Sequence, residues 1–467
     1  MELWAKWLSL VNQLETACSR TQSFYWLVVV LIGFTIKSDF LGVTSIARGA
    51  GLLPCYYTCL LHLFNSTAVN VDKLQQLWLN LVIKQFKGIV QVNGRYIIVG
   101  DGIKVGKEGK KMPGVKLLHQ DSESNSKAEY IMGHSIQAVA ILVKGLCTYF
   151  AVPLAGKIHE GIRLNYKDKR TLLDKMFELL IDLKIPGGFY FIADKYYCSG
   201  RFMKQLIGSG THLVTMMKKN AVAYYPATGE HKGRGRPAKY GEKIKLFDLF
   251  KTQLDFIEAP MPGKDGIAIE YCVKQFFWRP LGELAQFIFV RHPTKGLSIA
   301  MTTDLTLGQL DIIFIYSLRF KIEVLFKQAV HQIGAFMYRF WLKMMLPRGR
   351  GSGDQDLQFA PKKFKEGILR KLNAYHLFIL LGFIAQGLMQ YLSIHEYRTV
   401  WKNFGSWLRT IRENLLPSEK VVAMAMEQTY IEFLVDGTNY TLFKKFLWRR
   451  VDIGQLQPFI EQQKEAT

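Results

Sequence analysis

The sequence predicts an α/β protein: a mixed sheet core, interrupted by a β-rich insertion and flanked by helical regions at both ends. Three observations predict it. Runs rich in β-branched and aromatic residues at 95–104, 134–143, 149–154, 188–194 and 211–217 alternate with helix patterns at 168–183 and 199–207. A second group of strand-like runs fills residues 218–304, and residues 1–90 and 347–467 carry helical patterns over most of their length.

The totals narrow the function. At 467 residues the chain is long enough for two to four domains, and a hydrophobic content of 49% supports a large buried core. A net charge of +23 points to a polyanionic partner, either nucleic acid or an anionic membrane surface. Six cysteines without a C-x-x-C pair read as reduced thiols of a cytosolic protein. Cys55, Cys59 and His62 could share a helix face, but they lack a fourth metal ligand and read as an unliganded trio. No secretory signal is expected at the start. The apolar run at 23–36 is too short to span a bilayer comfortably. That at 375–394 is long enough, but it contains His376, Gln386 and Gln390 and is expected to be a core helix.

Within the helical 1–90 region, residues 42–64 (GVTSIARGAGLLPCYYTCLLHLF) read as helix, glycine turn, helix, similar to a helix-turn-helix DNA-binding element. The run 95–104 (RYIIVGDGIK) ends a strand in Asp101, between two glycines that leave the backbone free to turn. After a basic loop with Lys104, Lys107, Lys110 and Lys111, two further strands complete a meander. The run 188–194 (GFYFIAD) delivers a second carboxylate, Asp194. Strand, strand, strand, helix, strand, helix, strand, with acids ending the first and fourth strands, matches a ribonuclease-H-like sheet. There those two strands are neighbours, so Asp101 and Asp194 are expected to meet. The core spans 91–217 and resumes at 305–346 after the insertion.

The insertion at 218–304 begins with a basic loop whose centre, Arg234-Gly235-Arg236-Pro237, has the layout of an AT-hook. An extended Arg-Gly-Arg fits a narrow minor groove, so Arg234 and Arg236 are expected to contact DNA. The stretch 310–327 (LDIIFIYSLRFKIEVLFK) is expected as one helix. It carries Tyr316, Arg319, Glu323 and Lys327 along one face, beside an apolar stripe of Ile315, Leu318, Ile322, Leu325 and Ala329. Glu323 needs a cation there, either Arg319 or a metal ion. Residues 347–363 (PRGRGSGDQDLQFAPKK) read as a linker, and helices are expected at 375–394, 396–415, 418–433 and 442–450.

Three carboxylates stand out: Asp101, Asp194 and Glu323. Together they could hold two Mg²⁺ ions about 3.5–4 Å apart and promote in-line attack on phosphorus without a nucleophilic side chain. The sequence resembles the DDE transposases, in particular the insertion-sequence branch with a Tyr-x2-Arg-x3-Glu-x6-Lys signature. The resemblance rests on Tyr316-x2-Arg319-x3-Glu323, GDGIKVGKEGKKMPG, FIADKYY and GRPAKYGEKIKL, and runs from about residue 90 to 345. It implies a ribonuclease-H-like fold and cut-and-paste transposition, with Mg²⁺-dependent strand cleavage and transfer at element ends (Mn²⁺ as a substitute). It also implies dimerisation around paired ends and a cytoplasmic, nucleoid-associated location.

Carried over by position, Asp101, Asp194 and Glu323 are catalytic metal ligands, and Tyr316 and Arg319 grip phosphates. The family's lysine falls on Val330; Lys327 is the nearest substitute. Lys104 and His134 are further candidates, as a phosphate contact or a structural group. Trp278, the insertion's one tryptophan, reads as structural. The helical 347–467 region is assigned to DNA contact or dimerisation. Two other readings fit parts of the chain. A catalytically inactive DNA-binding protein derived from a transposase would usually have lost one of the acids. A membrane protein would use the two apolar runs.

Overall fold

A computed structural model describes residues 2–120, 128–227, 238–252, 254–407, 411–435, 441–452 and 454. The chain forms two compact units, Val90–Asp101 with Arg170–Glu323, and Met1–Ile89 with Gly102–Lys169 and Val324–Thr467.

The first unit is built on a mixed sheet. Its strands are β1 (Arg95–Gly106, which runs on past the unit), β2 (Phe189–Ile192), β3 (His212–Met216), β4 (Val222–Pro226), β5 (Tyr240–Lys245), β6 (Ala268–Trp278), β7 (Glu283–His292) and β8 (Gly296–Thr302). They lie in the order β5-β4-β6-β7-β8-β3-β2-β1. Strands β1, β2 and β3 are parallel, which requires crossover connections. Helix α1 (Leu172–Asp182) precedes β2, and α2 (Gly200–Gly208) links β2 to β3. The trio sets the first, fourth and fifth predicted strands side by side, in line with the ribonuclease-H-like sheet expected from the sequence; the second and third form Tyr130–Lys144 and Tyr149–Ile158, which belong to the second unit. Helix α1 starts at a capping box, where the Thr171 hydroxyl accepts from the Asp174 amide and the Asp174 carboxylate accepts from the Thr171 amide. The insertion does not form a separate sheet. Its last strand, β8, pairs antiparallel with β3 and carries the ladder outward. Trp278 ends β6 and is buried.

The stretch 310–327 departs from the single helix expected. It forms α3 (Gln309–Ser317) and α4 (Lys321–Gln328). Between them the amides of Leu318, Arg319, Lys321, Ile322 and Glu323 all bond three residues back rather than four, so the chain tightens to a 3₁₀ pitch. The apolar stripe is nevertheless covered: Ile315, Leu318, Ile322 and Leu325 are all buried.

The second unit is organised around the helix Lys362–His395. It is long and apolar enough to cross a membrane, yet 94% of its most apolar window is buried inside the protein. Its polar side chains find partners: Gln386 donates to the Leu325 carbonyl, Gln390 to the Ala151 carbonyl, and the His376 ring accepts from the Ile158 amide. Gly387 admits the Trp78 indole, since a Cβ there would overlap the ring, and Trp78 Nε1 donates to the Pro153 carbonyl at 2.7 Å. The helices Glu2–Val11, Thr21–Ile36, Val43–Gly49, Tyr57–Asn65 and Val71–Gln85 belong to the same unit.

Two further expectations change here. The helix expected over 396–415 is only Tyr397–Lys402. Asn403 caps it, Gly405 then turns the chain at φ +43°, and Trp401 Nε1 donates to the Leu415 carbonyl. The expected linker at 347–363 is docked, not free. The Arg348 amide donates to the Lys110 carbonyl, the Leu117 amide to Ser352 and the Gln355 amide to Gly161, all at 2.8 Å.

His134 is a structural group. It is fully buried, with Nδ1 2.7 Å from the Tyr338 hydroxyl and Nε2 2.9 Å from the Pro113 carbonyl. Burial, with smaller contributions from Lys107 and His376, holds its imidazole pKa down to about 3. The unfolded chain takes up this proton near pH 6.5 while the fold refuses it, so stability is lost as pH falls from 6.5 towards 3. The slope from this one group approaches about 1.4 kcal/mol per pH unit. Melting temperature followed over that window should fall less steeply in His134→Gln than in the wild type; parallel curves would remove His134 as the cause.

Candidate active site

Parallel strands present their carboxyl ends at one edge of a sheet, where open α/β sheets bind ligands. Asp194 sits there, just past the end of β2, whereas Asp101 does not end its strand as expected: it lies inside β1, which runs on to Gly106 beyond the parallel pairing. In the β1–β2 ladder each residue of β2 stands 93 positions after its partner, from Tyr96–Phe189 to Val99–Ile192. Asp101 and Asp194 differ by the same 93, so they stand level, two residues beyond the last pair. Asp194 is half-buried and fixed: its carboxylate accepts from the Tyr196 amide at 2.9 Å, and its carbonyl accepts from the Thr215 hydroxyl at 2.8 Å.

Arg319 joins the other two acids. It stands in the 3₁₀ turn between α3 and α4, with its side chain 20% exposed. One nitrogen lies 3.6 Å from Asp101 Oδ2 and another donates to Glu323 Oε1. Burial works against the Arg319 charge, yet Tyr316, Glu323 and Asp101 hold its pKa above the usual arginine range. Tyr316, on the last turn of α3, has its hydroxyl pKa pushed up to about 12, by burial first and also by Asp194 and Glu323. Asp101, Asp194, Tyr316, Arg319 and Glu323 thus form one electrostatic neighbourhood.

Asp194, Tyr316 and Arg319 line a cleft of about 720 Å³. Lys195, Lys218 and Lys219 line it too, and the sequence alone does not single them out. Their one signal is position: Lys218-Lys219 follows β3 at the same carboxyl edge as Asp194. Cations around a carboxylate-bearing cleft suit an anionic ligand such as a phosphodiester.

The donor set has the chemistry for a hard divalent cation, being all carboxylate oxygen. Asp101 and Glu323 already converge on one positive group, the Arg319 guanidinium. Among the described residues, however, no three His, Cys, Asp or Glu side chains are grouped at metal-holding distance. The residues therefore fit a metal by type and neighbourhood, with Arg319 supplying the counter-charge in the arrangement seen.

The remaining candidates do not line this cleft. Lys104 is exposed and donates to the carbonyl of His119, in the strand Lys116–His119. Lys327 is exposed on α4, one turn beyond Glu323. Arg234 and Arg236 lie outside the described residues.

Known proteins share parts of this chain. The family model described as transposase DDE domain matches residues 104–341, half of the chain, taking in Asp194 and Glu323 and beginning three residues after Asp101. No curated protein sequence matches the chain. Among solved structures, a piggyBac transposase synaptic complex with hairpin DNA aligns with a TM-score of 0.36 and 10% identity, over 92% of this chain and 76% of that one. The family match spans the sheet from β2 onward, the insertion and the helix that carries Glu323, and by it this chain belongs to the DDE transposase family.

Proposed function

We propose that this transposase binds the ends of its mobile element as double-stranded DNA and cleaves and transfers strands with Asp101, Asp194 and Glu323 as its metal ligands. The observation that carries this reading is the shared neighbourhood of the three acids with Arg319 and Tyr316 beside a cationic cleft. Two Mg²⁺ ions, when bound, supply Lewis-acid stabilisation of the attacking and leaving oxygens at phosphorus. The chain's own residues do the rest. Arg319 offers a planar fork to a phosphate, and Lys195, Lys218 and Lys219 neutralise the flanking backbone. Tyr316, kept protonated by its surroundings, donates a hydrogen bond to a phosphate oxygen. The Tyr316-Arg319-Glu323 spacing supports placement in the insertion-sequence branch, with Lys327 in the role of the missing lysine and a homodimer holding paired ends.

The test is cleavage of DNA that carries the sequences flanking the gene. Nicking at the element ends should require Mg²⁺ or Mn²⁺ and stop with EDTA. End binding without any nicking, in either metal, would instead support the inactive DNA-binding protein.

A further inference from the structure

The second unit holds another, larger cleft of about 930 Å³, lined by none of the residues placed in the active site. Its floor is apolar and rigid. Met112 and Val115 are buried, and so is Tyr338, which is held by His134 and stacks on Tyr375 with ring centroids 4.6 Å apart. Lys107 lies 3.8 Å over the Tyr338 ring and donates to the Phe336 and Tyr338 carbonyls. Backbone hydrogen bonds from Leu342 to Lys111, and from Arg348 to Lys110, pin one wall to the other. This is a formed cleft rather than a gap between mobile loops.

Two features of the lining point to one kind of ligand. Lys110, Arg339, Arg348 and Arg350 line the cleft with Glu108 as the lone acid among the described lining residues, while burial and then Arg339 hold the Lys107 pKa down to about 7. Two aromatic rings also line the cleft while open to solvent, Trp341 at 69% and Tyr130 at 51% exposure. Cations neutralise phosphates without regard to sequence. Exposed aromatic rings stack on bases, which requires base faces that are not already stacked inside a duplex. The rim adds close access. A Cβ on Gly349, which lines the cleft, would meet nothing within 4 Å, so packing does not explain that glycine, and its bare backbone admits a ligand.

We propose that this cleft binds a single-stranded tract of DNA, with its phosphates on Lys110, Arg339 and Arg350 and its bases on Trp341 and Tyr130. The inference rests on DNA as the partner of this transposase, but not on the three acids. The full chain in EDTA, titrated against labelled oligothymidylate and against a duplex of unrelated sequence over a range of KCl, tests it. Arg339→Ala with Arg350→Ala should weaken oligothymidylate binding and flatten the log–log salt slope by roughly 0.7 for each phosphate that is no longer neutralised. Trp341→Ala should weaken it roughly tenfold at unchanged slope, and Trp341→Phe should restore it. All three positions are exposed, so melting temperatures should match the wild type. Equal losses on duplex and single strand, with Trp341→Ala silent, would make this a duplex surface and overturn the proposal. So would unchanged binding in every variant. If those variants are silent while the wild type still nicks element ends, the cleft proposal fails alone. If the wild type neither binds nor nicks DNA, both readings fail.

Discussion

Asp194→Asn and Glu323→Gln should each lower Mg²⁺-dependent strand cleavage by at least about 10²–10³-fold while leaving the chain folded. The proposed chemistry comes from charge fixed beside the reacting phosphate, and each substitution removes one of the charges that fix it. Structure separates this from a trivial loss of stability. If Glu323 were a buried partner of Arg319, breaking the pair would cost about 3–5 kcal/mol and unfolding would account for lost activity. The Glu323 side chain is instead 58% exposed, so its pair with Arg319 is a surface pair of the kind that contributes about 0–1 kcal/mol. Asparagine at 194 keeps an oxygen to accept from the Tyr196 amide, so the turn after β2 should also survive. Melting temperature, end binding and nicking, measured on one preparation, decide the matter. Folded variants that bind ends but do not cut are expected. A folded Glu323→Gln that cuts at the wild-type rate would take Glu323 out of the active site.

The parts of the site that are legible in the sequence are those written in side chains. The two aspartates end strongly β-patterned runs, and parallel pairing of those runs sets them level. Tyr316, Arg319 and Glu323 share a stripe by α-helical spacing and stay neighbours although the chain tightens between them, so the sequence shows the grouping and hides the turn at 318–320. The fate of 347–363 is illegible for a different reason. Its glycines, arginines and prolines have linker composition, yet backbone hydrogen bonds to 110–117, 161 and 163, the Asp354 carboxylate paired with Lys116 and Arg163, and buried Leu357 dock it, and partners roughly 200 positions away leave no local pattern. The cationic cleft beside it is hidden with it, because Lys107 and Lys110 stand more than 200 positions before Arg339 and Arg350. The run at 375–394 is readable as core through its polar members, each of which meets a backbone partner.

Arg319→Ala should lower the melting temperature without metal and enlarge the rise that Mg²⁺ produces. In the arrangement seen, one guanidinium answers two carboxylates, Asp101 at 3.6 Å and Glu323 by direct hydrogen bonding. Removing it takes away the counter-charge that the two carboxylates share, at a cost on the order of 1 kcal/mol for groups this exposed. A divalent ion seeking the same oxygens must displace Arg319 in the wild type but not in the variant. Each tenfold gain in metal affinity adds about 1.4 kcal/mol of stabilisation at saturating metal, so the Mg²⁺-induced shift should be larger in the variant. The displaced guanidinium would be free for a phosphate in the cleft that it lines with Asp194 and Tyr316, which ties metal binding to DNA grip. End binding should accordingly be weaker in Arg319→Ala, and most clearly so with metal present. Thermal melts of both proteins across an Mg²⁺ titration, with Asp194→Asn as a reference for lost metal affinity, measure the effect directly. Identical Mg²⁺ shifts in wild type and Arg319→Ala would mean that Arg319 and the metal do not compete for the same carboxylates, and the arginine would then be a phosphate ligand alone.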